Sequence, residues 1–363
     1  MSRRDFLRYS ALASGGLWTG ARAHYVNGGT PIPTEPSSAR GDAGADPWIR
    51  PGAQDPQPVW GIHGGIQVSL WPVSVEGTGK GGPRGLLRIG YPVLNGGKDR
   101  GLVNFIAVEP IVTGHRGYSE LEQSAWDGQP GREFWTGDKA DADAVPDAGT
   151  IHYADGAERL SVRVHTERFA NGAQPVVDME FRADRPGEVR FTVSSAPGSA
   201  LMNNCVLTAT MGNYARLRHL WLRDRFITAQ QLWPSLTGNG FSPDAFFTHQ
   251  RFSRLPGGDL VVCATSDEAD PHSVPPDPVA PGWAYRGSFP LTQYLRKPVD
   301  QGYNDGLKVR VNGRRVYWAS HNPIPGGAAY ENFDLIEPFC EGQVFVFGLT
   351  RRSPADVAQG LIL

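Results

Sequence analysis

The chain has 363 residues, with 35 Lys and Arg against 37 Asp and Glu, a formal net charge of −2, and 45 Gly and 30 Pro. A near-balanced charge without long basic runs excludes an electrostatic footprint for nucleic acid, and so many glycines and prolines exclude a fold built on long helices. No stretch after the N-terminus approaches the roughly 18 consecutive apolar residues of a membrane helix, so no stable membrane insertion is expected.

Taken in chain order, Ser2-Arg3-Arg4-Asp5-Phe6-Leu7-Arg8 comes first, then a short, mildly apolar run from Ala11 to Gly20, then the small-residue site Ala21-Arg22-Ala23. This series resembles the twin-arginine export signal of bacteria. The resemblance implies that residues 1–23 are cleaved and that the machinery exporting folded proteins is a partner. It also implies work in the periplasm or outside the cell. Cleavage would remove four arginines and one aspartate, leaving a more acidic chain that starts at His24. An N-terminal histidine alone resembles the start of the copper brace of lytic polysaccharide monooxygenases. One residue followed by linker-like sequence is better explained as chance placement.

Residues 24–58 are rich in Pro, Gly and Ser and predict a linker or arm. From residue 59 to 363 the pattern is short strands bounded by turn residues. "GGIQVSLWPV", "ERLSVRVHTERF" (158–169), "QPVVDMEFRA" (174–183), "GEVRFTVSSA" (187–196), "NCVLTATMG" (204–212) and "GQVFVFGLTRR" (342–352) all have β-favouring composition. In "LKVRVNGRRVYWAS", Asn312-Gly313 predicts a type I′ hairpin turn. Two short helices are expected, at 119–128 with a Ser119/Glu122 capping box and at 353–361 with Ser353 as cap and Pro354 at N1. Together these elements predict an all-β protein. It should be a large antiparallel β-sandwich, jelly-roll-like, with room for a second, smaller β lobe and a subdivision near residue 200.

Several motifs fail on context. "GTGKGG" (77–82) has the spacing of a nucleotide loop, but Pro83 follows and no helix starts within it, so a hairpin loop is expected and no cofactor is predicted. In "SDEADPH" (266–272), Asp267, Glu268 and Asp270 gather carboxylates as a Ca²⁺ site would, with a solvated acidic loop as the plainer account. Cys205, Cys263 and Cys340 leave open one disulfide plus a free thiol, or three thiols.

Three stretches carry more polar and aromatic groups than packing requires. "NFIAVEPIVTGHRGYSELE" ends an apolar run at Glu109 and continues through His115, Arg116, Tyr118, Glu120 and Glu122. "TMGNYARLRHLWLRD" predicts Arg216 and Arg218 on one strand face, with Leu217, His219 and Trp221 on the other. The third runs from Tyr294 and Arg296 to Tyr330, Glu331, Asp334 and Glu337. Singly, each of these residues is better explained by cross-strand pairing on an exposed face. Taken together with ten tryptophans, they make the chain resemble the β-sandwich glycan-active enzymes and binding modules that bacteria secrete, in composition and architecture. The resemblance implies a glycan partner. A glycoside hydrolase would draw its acid and its base or nucleophile from Glu109, Glu120, Glu122, Glu331 and Glu337. Arg216, Arg218, Tyr294, Arg296 and Tyr330 would hold the sugar, with Trp221 as a stacking floor. A polysaccharide lyase acting on a uronate would instead use His115 or Tyr118 as base beside Arg116. A non-catalytic glycan-binding or scaffold protein is the third expectation.

Overall fold

Each alternating run puts an apolar residue at every second position, and two such faces exclude water when they stack. The computed structural model describes residues 46–52, 58–70, 84–92, 100–137, 146–210, 212, 215–266, 283–285, 291–299, 305–317 and 322–362. The export-signal stretch, His24, the 77–82 loop and the candidate Ca²⁺ ligands Asp267, Glu268 and Asp270 lie outside the described residues.

Residues Trp48–Leu363 form one unit, an all-β sandwich of two large sheets. Sheet 1 runs in the order β1 (Trp48–Ile49), β2 (Val59–Ile62), β3 (Gln67–Leu70), β4 (Leu86–Pro92), β5 (Arg100–Val112), β12 (Asn204–Thr210), β21 (Ala329–Ile336), β20 (Lys308–Arg314) and β15 (Ala245–Thr248). Two short strands attach to β5: β6 (His115–Arg116), antiparallel, and β18 (Trp283–Tyr285), parallel. Sheet 2 runs in the order β14 (Phe226–Thr228), β13 (Leu217–Trp221), β17 (Leu260–Ser266), β19 (Thr292–Lys297), β22 (Gln343–Thr350), β11 (Arg185–Ser195), β10 (Pro175–Arg182), β9 (Ala157–Thr166) and β7 (Phe134–Thr136). Here β16 (Ser253–Arg254) joins β17, and β8 (Thr150–Ala154) joins β9. Trp48, inside the stretch expected to be a linker, already pairs with Ile62. Strands from both sides of residue 200 adjoin in each sheet, β5 with β12 and β11 with β22.

Between the sheets lies one continuous core. Sheet 2 contributes Leu160, Val162 and Val164 from β9, Met179 and Phe181 from β10, Phe191 from β11, and Phe345 and Phe347 from β22. Ile106, Val108, Leu207, Val309, Val311, Phe333 and Leu335 meet them from sheet 1. Burying each such side chain stabilises the fold by about 1.5–3 kcal/mol. The intervening residues point to the outer faces, and there the polar constellations stand.

Three local expectations are corrected. Asn312-Gly313 is not a hairpin turn: β20 runs straight through it with a bulge in its pairing to β21, and neither residue has the positive φ that a type I′ turn needs. Glycine is required at 313 for close approach, since a Cβ there would lie 2.7 Å from Trp233 Cζ3 and 2.8 Å from the Ala329 carbonyl. Residues 119–128 do not form the expected helix. Ser119 is buried, accepting from Val108 N at 3.0 Å and donating to the Gly85 carbonyl, and Glu122 is drawn to Arg132. With both capping side chains taken by tertiary partners, only the Tyr118 carbonyl turn remains. In β13 the predicted alternation breaks at a bulge between Leu217 and His219, so Leu217 joins Leu220 in the core while His219 and Trp221 face outward. The expected C-terminal helix forms as α2 (Pro354–Ala358), with Ser353 and Asp356 completing a capping box and Pro354 at its start. The other α-helix among the described residues, α1 (Ala229–Leu232), is a single turn capped by Thr228.

Candidate functional site

The outer face of sheet 1 carries a buried charge cluster centred on Arg310, which stands opposite Asp334 on β21 and Phe246 on β15. Its Nε donates to both Asp334 carboxylate oxygens, at 3.2 and 3.0 Å. Its Nη2 donates to Asp334 Oδ2 at 2.6 Å, to Thr208 Oγ1 at 3.3 Å and to Glu109 Oε2 at 3.4 Å. Arg116 Nη1 reaches the same Glu109 oxygen at 3.2 Å. Asp244 Oδ2 lies 3.8 Å from Arg310 Nη1, while its Oδ1 accepts from Asn312 Nδ2 at 2.9 Å. Three carboxyl groups therefore face two guanidiniums. Asp244 is partly exposed. Of the two buried carboxyl groups, Asp334 has the shorter contacts to Arg310, whereas Glu109 has only two longer ones, so Glu109 is the less well neutralised.

Burial pushes the Glu109 carboxyl above its ordinary range, against the opposing pull of Arg310 and Arg116, and it raises Asp334 in the same way. A carboxyl that holds its proton unusually well has the property a general acid needs. The sign of the pH effect follows. The folded chain keeps the Glu109 proton above about pH 4.3, where the unfolded chain releases it, so the stability contributed by this group falls as pH rises. Glu109→Gln abolishes that slope, and the wild-type-minus-variant difference in urea-unfolding free energy is expected to decline from acid toward neutral pH. A difference that grows with pH would mean that the arginines dominate and hold the carboxyl low.

The structure places the remaining sequence candidates as follows. His115 is exposed and Tyr118 half-buried on the segment that follows β5. Glu120 is half-buried, 3.5 Å from Ser119 Oγ. Glu122 accepts from Arg132 Nε at 2.9 Å and Nη2 at 2.6 Å and from Ala170 N at 2.9 Å. Arg132 Nη1 also reaches Glu167, 3.4 Å away, which latches the 117–133 segment onto the end of β9. Glu337 forms a buried ion pair with Lys297 at the edge of the core. Glu331 is buried on β21, and the Tyr330 hydroxyl donates to the Ile227 carbonyl at 2.7 Å. Arg216 Nε donates to Tyr317 Oη at 3.0 Å, and Arg218 to the Pro325 carbonyl. Of all the sequence candidates, only Glu109, Arg116 and Asp334 share the Arg310 cluster on sheet 1.

Trp221, Tyr294 and Arg296 share the other outer face, that of sheet 2. Trp221 meets Phe226 at 4.9 Å between ring centroids, and its indole N–H donates to Thr265 Oγ1 at 2.9 Å. Tyr294 packs over Gly348, where a Cβ would lie 2.0 Å from its ring, and donates to Glu188 Oε1 at 3.0 Å. Arg296 Nε reaches the same oxygen at 3.0 Å, its Nη2 the second Glu188 oxygen, and its Nη1 Asp259 Oδ2 at 2.5 Å. Beside them opens a cleft of about 270 Å³. At the far edge of the same sheet, Trp126 is 54% exposed. Its ring lies 5.2 Å from that of Trp135, which in turn stacks on His165 at 5.6 Å and 17°.

Among the described residues no three His, Cys, Asp or Glu side chains gather as metal ligands, and no helix is long and apolar enough to cross a membrane. All three cysteines are free; burial raises the Cys205 and Cys263 thiols, and Cys340 is exposed. Arg310, Asp244, Trp126, Trp135 and Arg190 carry features that the sequence did not single out. The legible signal for Arg310 was a charge between Val309 and Val311, two core-pattern valines. Comparison with protein-family models, with curated proteins and with solved structures gave no match for this chain.

Proposed function

We propose that this protein recognises a glycan, with the outer face of sheet 2 as the contacting surface. The observation that carries the reading is Trp126. An indole more than half exposed is held against Trp135, which is itself stacked on His165, rather than folded inward. Aromatic faces presented in this way stack on the apolar faces of sugar rings, and a rigid backing lowers the entropy lost on binding. A second aromatic group, Trp221 with Phe226 and His219, stands at the opposite edge of the same sheet. The N-terminal resemblance to an export signal supports action outside the cytoplasm, where bacterial glycans are met.

Trp126→Ala is expected to weaken binding to the best ligand of a polysaccharide panel by about five- to thirty-fold, 1–2 kcal/mol, with the thermal midpoint unchanged. Affinity electrophoresis reads this directly. Unchanged retardation on every glycan the wild type binds would remove the platform from the account.

A second reading, that of a glycan-cleaving enzyme, is favoured by the charge imbalance at Glu109. There a proton-holding carboxyl sits beside Arg116, whose side chain is 22% exposed. In a hydrolase Glu109 would act as the general acid. In a lyase Arg116 would neutralise a uronate while His115 or Tyr118 takes the proton. New reducing ends with or without ultraviolet absorbance of an unsaturated sugar separate the two. Neither signal from any polysaccharide leaves recognition without cleavage.

A further inference from the structure

The cleft on the sheet 2 outer face contains cations and anions in unequal states of use. Its carboxylates are occupied: Glu180 accepts from Arg159 Nη1 at 2.8 Å, Glu188 is gripped by both ends of Arg296, and Asp259 takes Arg296 on one oxygen and Val299 N, 2.9 Å away, on the other. The arginines are not all matched in return. Arg182 is paired with Asp184 at 2.9 Å. Arg185 comes no closer than 3.6 Å to a Glu188 oxygen that already holds Arg296. Arg190 is half-buried on β11 between Glu180 of β10 and Val346 of β22, and its guanidinium makes no hydrogen bond or ion pair with any described residue. Withdrawing part of a guanidinium from water without a partner is unfavourable, so Arg190, with the long and shared Arg185 contact next to it, makes the cleft receptive to an anion.

The size of the cleft narrows the choice. At about 270 Å³ it falls just below the ~300–1,000 Å³ of pockets that take drug-sized ligands, so it accommodates a single ring with its charged substituent. Pro298 and Val299 supply an apolar wall. Guanidinium groups favour planar or tetrahedral oxyanions, which accept two parallel N–H bonds.

We propose that the cleft beside Arg190 binds the anionic oxygen group of an acidic glycan, a carboxylate or a sulfate ester on one sugar residue, with Arg190 and Arg185 as its donors. This rests on the reading of the sheet 2 outer face as the glycan surface and names the class of sugar that it selects. The site binds; it carries no bond-making step.

The test uses the full chain and two matched pairs of probes, oligogalacturonate with its carboxyl-reduced form and a sulfated galactan oligomer with its desulfated form. Calorimetry is expected to show one charged probe bound about ten- to hundred-fold more tightly than its neutral partner, as charge-assisted hydrogen bonds imply. Which pair shows it distinguishes carboxylate from sulfate. Arg190→Gln should lower the affinity for the charged probe toward that of its neutral partner without moving the thermal midpoint, and Arg190→Lys should restore part of the preference. Arg185→Gln provides the same readout if Arg190→Gln fails to fold. Equal affinity within both pairs, no binding to any of the four, or a preference that survives both glutamine variants overturns the proposal. If Trp126→Ala weakens every probe while Arg190→Gln changes nothing, the glycan face stands and the anion site falls. The reverse pattern keeps the anion site and removes the aromatic platform.

Discussion

Replacing Arg310 with alanine is expected to destabilise the folded chain by about 3–5 kcal/mol at neutral pH. The guanidinium ties β20 to β21 through Asp334, to β12 through Thr208 and to β5 through Glu109. Its removal leaves two carboxyl groups, 0% and 4% exposed, with little to offset their lost hydration. They respond by taking up protons, so the deficit should shrink in acid, where both are neutral in any case. The reference variant is Arg163→Ala, whose pair with Asp178 at 2.7 Å is solvent-exposed and worth about 0–1 kcal/mol. Urea midpoints at neutral and acidic pH decide the matter. If the two alanine variants cost the same, the cluster is not what joins the strands of sheet 1.

Lys297→Met should cost a similar amount, again about 3–5 kcal/mol. Lys297 and Glu337 are each 2% exposed at the side chain. The ammonium also donates to the Val344 carbonyl at 3.1 Å and lies 5.3 Å from the centroid of the Phe345 ring. Methionine keeps the packing but strands the Glu337 carboxylate, with Gln343 Nε2 at 3.0 Å as a remaining donor. The double variant Lys297→Met/Glu337→Leu should recover most of the loss, because an apolar pair of similar volume replaces a buried ion pair at little net cost. Losses that simply add in the double variant would show that the two residues act independently.

What could be read in advance follows from where each signal is generated. Runs such as Leu160-Ser161-Val162-Arg163-Val164 announce their strand because the alternation is local and the core takes every second residue. Asn312-Gly313 misled because the bulge and the approach of Trp233 come from distant segments. The same error hid Arg310, since a residue beside a presumed turn has no reason to be buried. Ser119 and Glu122 matched a capping box in spacing, but Gly85, Val108 and Arg132 drew their side chains away. Glu109 was legible because a carboxylate closing an apolar run demands a partner, though not that its partners would be Arg116 and Arg310. Tyr294 and Arg296 were found by type, yet Glu188, which joins them, lies 106 residues from Tyr294 and 108 from Arg296. Trp126 was lost inside a helix that does not form.

Strand β22 follows every other strand in the sequence, yet it stands in the middle of sheet 2, flanked by β11 and β19. Until residues Gln343–Thr350 emerge from the ribosome, that sheet exists as two separate halves, each with an unpaired edge open to the wrong partner. Central pairing that depends on late-arriving sequence delays closure to the end of synthesis. A chain cut short before Gln343 would lack its keystone, however complete the strands on either side.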